Sequence, residues 1–278
     1  MKKLFYIIAA ASALAACQRQ TPVTMEWHRS IMDGSRTGVQ AVNADNMDTA
    51  LGTFDGEVYV APNGTRFSSG STPEVAAALM EVQPKLLRLK QVIGYSTAEM
   101  VKETPESGLS NWFVDELRAA GTRIFKVPMD FAVANFGGIR CDLPAGPIIL
   151  DDIESMFPFK NHVVYAKVPG SELRKLLDFL ATTETFQCIS GAKVVVKDHK
   201  VVSATIGGKP IVDKKVYNVC TIDFLLDGGD QIAIGAMAKS VKISDYLLKT
   251  MMTDACLRLT KAGKNIEKAK DGRVIMED

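Results

Sequence analysis

Between residues 131 and 222, short apolar runs of strand length alternate with segments of helical periodicity, and this alternation constrains the fold more than any other feature of the chain. Residues 131–135, 162–168, 192–197, 201–206 and 216–222 read as strands: each is short, rich in β-branched or aromatic residues, and bounded by turn-forming residues. Residues 152–157 read as a short helix, and Ser171 starts an amphipathic one through Leu173, Leu176, Leu177 and Leu180. Residues 244–259 are helical in period. Upstream, Leu109, Trp112, Phe113, Leu117 and Ala120 share one helical face, with Gly121 placed to end the helix. Thr72-Pro73-Glu74 is a helix start whose apolar pattern continues through Leu79, Val82, Leu86, Leu89 and Ile93, and Pro84 is expected to kink or split it. Residues 25–70 carry the turn signals Asp33-Gly34, Asp55-Gly56 and Asn63-Gly64 around stretches such as Val58-Tyr59-Val60, which predicts loops and short strands. A β-rich middle with helices at intervals predicts the α+β class, a mixed β-sheet with flanking helices. No internal repeat or low-complexity linker interrupts it.

The first residues have a different logic. Lys2 and Lys3 precede an apolar run over residues 4–16, too short for the roughly 20 residues that a helix needs to cross a bilayer. This reads as a signal peptide. Leu14-Ala15-Ala16-Cys17 resembles the bacterial lipobox, which would make Cys17 a lipidated new N-terminus and residues 17–24 a tether. The expected organisation is then a signal peptide (1–16), the tether, an N-terminal extension packed on the main domain (25–91), and the main domain (92–278). The expected location is the cell envelope, lipid-anchored, with Gln18 compatible with sorting to the outer membrane, periplasmic face.

Composition removes other classes. With 47% apolar and 23% charged residues the 278-residue chain is neither disordered nor a disulfide scaffold. Without Lys2 and Lys3, 33 basic residues less those two face 32 acidic ones, a formal net charge of −1. That balance, and lysines scattered apart from a mild cluster between Lys261 and Lys270, argue against binding a nucleic acid polymer. His28, His162 and His199 lie far apart and none is ligand-spaced, so no metal cofactor is expected in this chain. Cys141, Cys188, Cys220 and Cys256 are too widely spaced for a C-x-x-C site; they read as buried thiols, with a Cys188–Cys220 disulfide conceivable because both lie in strand-like runs.

Three turns follow apolar runs and carry polar or aromatic side chains. In Asn135-Phe136-Gly137-Gly138-Ile139-Arg140 the paired glycines permit strained dihedrals and close backbone approach, and Arg140 offers a fork for phosphate or carboxylate. Alone this also reads as a structural hairpin. Phe157-Pro158-Phe159-Lys160-Asn161 sets an aromatic two positions from an amide, and Phe224-Leu225-Leu226-Asp227-Gly228-Gly229-Asp230 joins an aromatic to a glycine turn and a carboxylate. Each phenylalanine reads singly as core. Together, two rings on separate loops can clamp a flat ligand, Asn161 can read ring nitrogens, and Asp230 can accept from sugar hydroxyls. His162 begins a strand after Asn161 and reads as structural.

Taken in order, these segments resemble the C-terminal, substrate-binding domain of the 5′-nucleotidase family over residues 92–278. The resemblance runs from Glu106-Ser107 and the Leu109 helix through Asn-x-Gly-Gly-Ile-Arg, Leu143-Pro144-Ala145-Gly146-Pro147-Ile148, Pro158-Phe159-x-Asn161 and Gly170-Ser171-Glu172-Leu173 to Gly228-Gly229-Asp230. It implies that Phe159 and Phe224 sandwich a nucleobase with Asn161 beside them, that Asn135 faces the nucleoside, and that Asp230 binds ribose. It also implies that Arg140, in the turn with Gly137 and Gly138, binds phosphate. Phe136 departs from the family by replacing a glycine, and residues 95–107 hold Lys102 where relatives carry further arginines. The motifs of the family's two-metal phosphoesterase domain, Asp-x-His, Asn-His-Glu/Asp and Gly-His-x-His, are missing. The resemblance therefore implies the nucleotide- or nucleoside-binding half of a split hydrolase, with divalent metals on a separate metallophosphoesterase chain. The alternative is an envelope lipoprotein that binds nucleotides or nucleosides without catalysis.

Overall fold

The computed structural model describes residues 36–41, 46 and 49–277. The expectations placed on the signal peptide, Cys17 and the tether lie outside the described residues. Contacts divide the chain into two compact units with the boundary between Val82 and Gln83.

The first unit is built on a small antiparallel meander, β1 (Thr53–Phe54), β2 (Tyr59–Val60) and β3 (Arg66–Phe67), with Thr53 opposite Val60 and Tyr59 opposite Phe67. Helix α1 (Ser71–Leu86) follows. Pro84 does not split α1: the helix reaches Leu86 and tightens into a 3₁₀ turn over Leu87–Lys90. Nor does it extend to Ile93, which lies buried in a strand, β4 (Val92–Ser96). A residue pointing inward from a strand had fallen in phase with the helical period.

In the second unit, α2 (Gly108–Phe125) starts at a capping box in which Ser107 Oγ accepts from Ser110 N–H at 3.1 Å and Ser110 Oγ accepts from Ser107 N–H at 2.9 Å. Gly121 does not end this helix. It lies inside, where a β-carbon would sit 2.5 Å from Cys220 Sγ, and the helix ends instead at Lys126 in the left-handed region, φ 58°. Glycine is thus needed there for close approach of helix to sheet.

That sheet has five strands. β5 (Phe131–Ala134), β7 (His162–Pro169), β8 (Cys188–Ser190), β12 (Val216–Ile222) and β13 (Ser240–Leu247) lie in the order β13-β7-β12-β5-β8, with β12 and β5 parallel and the other pairs antiparallel. A second sheet, ordered β11-β10-β9-β14, joins β9 (Ala192–Lys197), β10 (Lys200–Ile206), β11 (Lys209–Pro210) and β14 (Val274–Glu277). β4 pairs with β6 (Gly146–Ile149). The remaining helices are α3 (Leu150–Met156), α4 (Gly170–Thr182), the short α5 (Ile234–Met237) and α6 (Leu248–Lys261). This is an α+β fold of mixed sheets with flanking helices. The helical segment expected at 244–259 is a strand up to Leu247 and a helix from Leu248, because residues 240–247 pair with β7 along the sheet edge. The Cys188–Cys220 disulfide is not formed and both thiols are free and buried. β5 runs between their strands, with Cys220 opposite Ala132 and Ala134 opposite Cys188. Two interstrand spacings, about 10 Å, are too far for a bridge.

The strand directions decide where the loops go. β5 and β12 are parallel, so their C-terminal ends emerge on one side of the sheet; β7 is antiparallel to β12, so its N-terminal start lies there too. The three turns picked out in the sequence are the connections at that single end.

Candidate functional site

The first loop leaves β5 as a 3₁₀ turn, Phe136–Gly138. Gly137 and Gly138 do not take the left-handed dihedrals that paired glycines permit. At Gly138 the need is spatial, since a β-carbon there would sit 2.8 Å from Asn135 Oδ1, whereas one on Gly137 would make an ordinary contact at 3.7 Å. Nor is the loop a hairpin, because β6 pairs with β4 rather than with β5. Phe136, which replaces a glycine of the motif, turns its ring into the core, and its N–H donates to Gln187 Oε1 at 2.6 Å. Asn135 is only 7% exposed, and its Oδ1 has no hydrogen-bond partner among the described residues. Such an orphaned acceptor costs about 1–3 kcal/mol, so it marks a place where a ligand donor would be favoured. Arg140 Nη1 donates to Gly137 O at 3.0 Å, and the guanidinium lies 5.8 Å from the Phe159 ring centroid, within cation–π range.

On the second loop Phe157 is buried against Phe113, ring centroids 4.9 Å apart, while Phe159, two residues on, is 47% exposed. Asn161 is held through its carbonyl, which accepts from Leu248 N–H at 2.8 Å. On the third loop Phe224 is 43% exposed, and a β-carbon on Gly229 would meet its carbonyl oxygen at 2.2 Å and its ring at 2.7 Å. Gly228 at φ 105° and Asp230 at φ 48° turn the chain back, and Asp230 Oδ2 accepts a long 3.5 Å bond from Gln187 Nε2.

Asn135, Gly137, Arg140, Phe159, Asn161, Phe224 and Asp230 line one cavity of about 250 Å³. Of the residues singled out in these turns, only Gly138 is not in the lining; it packs beneath Asn135. Two large rings left half exposed at the mouth of a cavity with two amides and a carboxylate are suited to stacking a flat heterocycle and hydrogen-bonding its edge. Lys102 does not reach into the lining: its Nζ donates to Ile139 O at 2.8 Å, behind the Arg140 turn.

Three residues at this end of the sheet were not singled out as functional. Gln187 bridges the first and third loops, since one end of its amide accepts from Phe136 N–H and the other faces Asp230. His162 Nδ1 lies 2.9 Å from Asp223 Oδ2, joining the second loop to the third. Their adjacency to Asn161 and Phe224 was visible, but nothing in the spacing paired them. Among the described residues, no three His, Cys, Asp or Glu side chains gather in one place.

These features define an α+β domain with an aromatic- and amide-lined cavity at one end of its central sheet. A family model described as 5′-nucleotidase, C-terminal domain, matches residues 90–239, more than half of the chain, and the chain belongs to that family. It is 36% identical over 108 residues to protein UshA of Escherichia coli K12, a match covering 36% of this chain and 19% of that protein. The cell wall protein Lmo0130 of Listeria monocytogenes is 29% identical over 186 residues, 61% of this chain and 24% of that one. The chain thus spans about a fifth of the length of the UshA relatives it matches. Among solved structures, the 5′-nucleotidase precursor from Thermus thermophilus superimposes with a TM-score of 0.64 at 23% identity, covering 81% of this chain and 48% of that one, a likeness of fold.

Proposed function

We propose that this chain is the nucleotide- or nucleoside-binding half of a split 5′-nucleotidase-like hydrolase acting in nucleotide catabolism. Phe159 and Phe224 stack the base with Asn161 at its edge, Asn135 and Asp230 meet the nucleoside and its ribose, and Arg140 faces the phosphate. A separate exported metallophosphoesterase chain holds the divalent metals and cleaves the ester. The observation that carries this reading is the pair of half-exposed phenylalanines lining one cavity with Asn135, Asn161 and Asp230. Family membership supports the nucleotide chemistry. The protein is held at the cell envelope by lipid on Cys17, a placement that the cell-wall relative also favours; no described helix is long and apolar enough to cross a membrane. Affinity purification from the native cell envelope, followed by assay of nucleoside monophosphate hydrolysis, tests the split. Activity confined to the mixture of this chain with a co-purified phosphoesterase is expected, and a partner equally active alone would overturn it.

The second reading, a non-catalytic envelope binder of nucleotides or nucleosides, is favoured in its nucleoside form by the positions of the two cations. Arg140 is bonded to Gly137 O and lies over Phe159, and Lys102 is bonded to Ile139 O. Titration with adenosine and with AMP separates the readings, because a nucleoside binder gains nothing from the phosphate.

A further inference from the structure

The residues that flank the two exposed rings meet each other. β7 and β12 pair antiparallel in a register that sets Val163 opposite Ile222, so the next residues outward, His162 and Asp223, fall side by side at the end of the sheet. Asp223 Oδ2 lies 2.9 Å from His162 Nδ1, and Asp223 Oδ1 accepts from the N–H of Phe224 at 2.9 Å. The histidine directly follows Phe159-Lys160-Asn161. One carboxylate therefore holds the peptide of one aromatic loop with one oxygen and the root of the other loop with the second. With its proton on Nδ1, whether neutral or charged, the imidazole donates to that carboxylate.

Neither side chain lines the cavity, and at 36% and 30% exposure the pair is ordinary as a stabilising contact. Its position is what matters. His162 opens β7 and Asp223 directly follows the last paired residue of β12, so little freedom is lost in bringing them together, and each lies within three residues of a ring. Stacking between two rings gains most when their separation is set before the ligand arrives. We infer that His162 and Asp223 are positioning residues that hold the Phe159 and Phe224 loops at a fixed separation and so preorganise the cavity. This rests on the reading of the cavity as a nucleoside site.

The test uses the full chain with His162→Ala, Asp223→Ala, the double variant and Asp223→Asn, which keeps an oxygen for Phe224 N–H. Adenosine binding is measured by calorimetry, unfolding by urea, and amide hydrogen exchange without ligand. Each single alanine variant is expected to weaken adenosine binding about tenfold, and the double variant no further than the weaker single. Asp223→Asn recovers part of the loss, and the urea midpoint stays close to that of the parent. In the free protein, exchange rises together in residues 157–161 and 223–231. Additive losses in affinity, unchanged affinity in both single variants, or exchange rising in one loop alone would overturn the inference. Failure of the parent to bind adenosine or uridine, or Phe159→Ala binding as tightly as the parent, would overturn the nucleoside reading instead, and the exchange data would still judge the tie between the loops.

Discussion

Gly229 lies so close beneath Phe224 that a β-carbon at position 229 would sit 2.7 Å from the ring and 2.2 Å from the Phe224 carbonyl oxygen. The glycine turn thus serves as the floor on which an exposed aromatic side chain rests, and Gly228 and Asp230 on either side take left-handed dihedrals to place it there. Gly229→Ala must therefore displace either the turn or the ring. The expected cost is about 1–3 kcal/mol in urea unfolding, as for overpacking elsewhere. Where it is the ring that moves, adenosine affinity is expected to fall as well on the proposed stacking role of Phe224. Unchanged affinity would show that the turn gives way instead of the ring, or that the ring has no part in binding.

The two rings themselves separate binding from folding. Both are nearly half exposed, so truncating either removes only about half the surface that a core phenylalanine buries, and Phe159→Ala or Phe224→Ala should cost about 1–2 kcal/mol in unfolding, below the roughly 3–5 kcal/mol of a core phenylalanine. Each should also cost about 1–3 kcal/mol in adenosine binding, the usual worth of an aromatic stacked on a base. Calorimetric titration alongside urea unfolding checks both halves of the expectation.

Asn135 should behave in the same sense for a different reason. Its Oδ1 is buried without a partner among the described residues, so the fold bears the cost of that orphaned acceptor. Replacing Asn135 with alanine removes the cost and opens a small void, and the two largely offset, within about 1 kcal/mol. Ligand affinity is expected to drop severalfold. A large loss of stability without a change in affinity would make the side chain structural.

The cavity residues show what the sequence carried and what it did not. Phe159, Asn161, Phe224 and Asp230 were legible because motif spacing survives as spacing on a loop, and strand direction then brought the loops to one end of the sheet. The joints between loops were not legible. Gln187 meets Phe136 across 51 positions and His162 meets Asp223 across 61, and no local period encodes contacts of that range. Gly121 departs from its expected role for a related reason, since a glycine demanded by Cys220 on a distant strand has the same sequence appearance as a helix stop. The helical period at 244–247 was overridden by pairing with β7, a tertiary contact.

Thiol chemistry offers a check on the fold that needs no ligand. Cys188, Cys220 and Cys256 are buried, and burial pushes the Cys220 and Cys256 thiols up to about 12 and Cys188 upward as well. Cys141 is exposed, its thiol raised by partial burial and by Asp152, Asp142 and Asp151. At pH 8 a maleimide should therefore label Cys141 alone among these four, and slowly, with the others reacting only in urea. Peptide mapping after labelling gives the answer, and early labelling at Cys220 would contradict its packing against Gly121.

Acid should weaken the fold through a cluster remote from the cavity. Arg273 is buried and forks onto Asp115, with Nη1 to Oδ1 at 2.8 Å and Nη2 to Oδ2 at 3.1 Å, and it also donates from Nη2 to Asp271 at 2.6 Å. Burial alone would raise the Asp115 carboxyl, but hydrogen bonds from Arg273, Lys268 and Ser190 outweigh it and hold the group at about 2, below its ordinary 3.8. The Arg273 hydrogen bond also lowers Asp271. A carboxyl more acidic when folded than unfolded stabilises the fold fully above the unfolded value, and that contribution is lost as pH falls from about 4 through about 2. For Asp115 the loss is on the order of 2 kcal/mol. Urea midpoints measured between pH 6 and pH 2 should fall over that window. Asp115→Asn should start less stable at pH 6, because it leaves part of the buried Arg273 charge uncompensated, and then decline less steeply. A parallel decline in parent and variant would remove Asp115 as the acid-sensitive group.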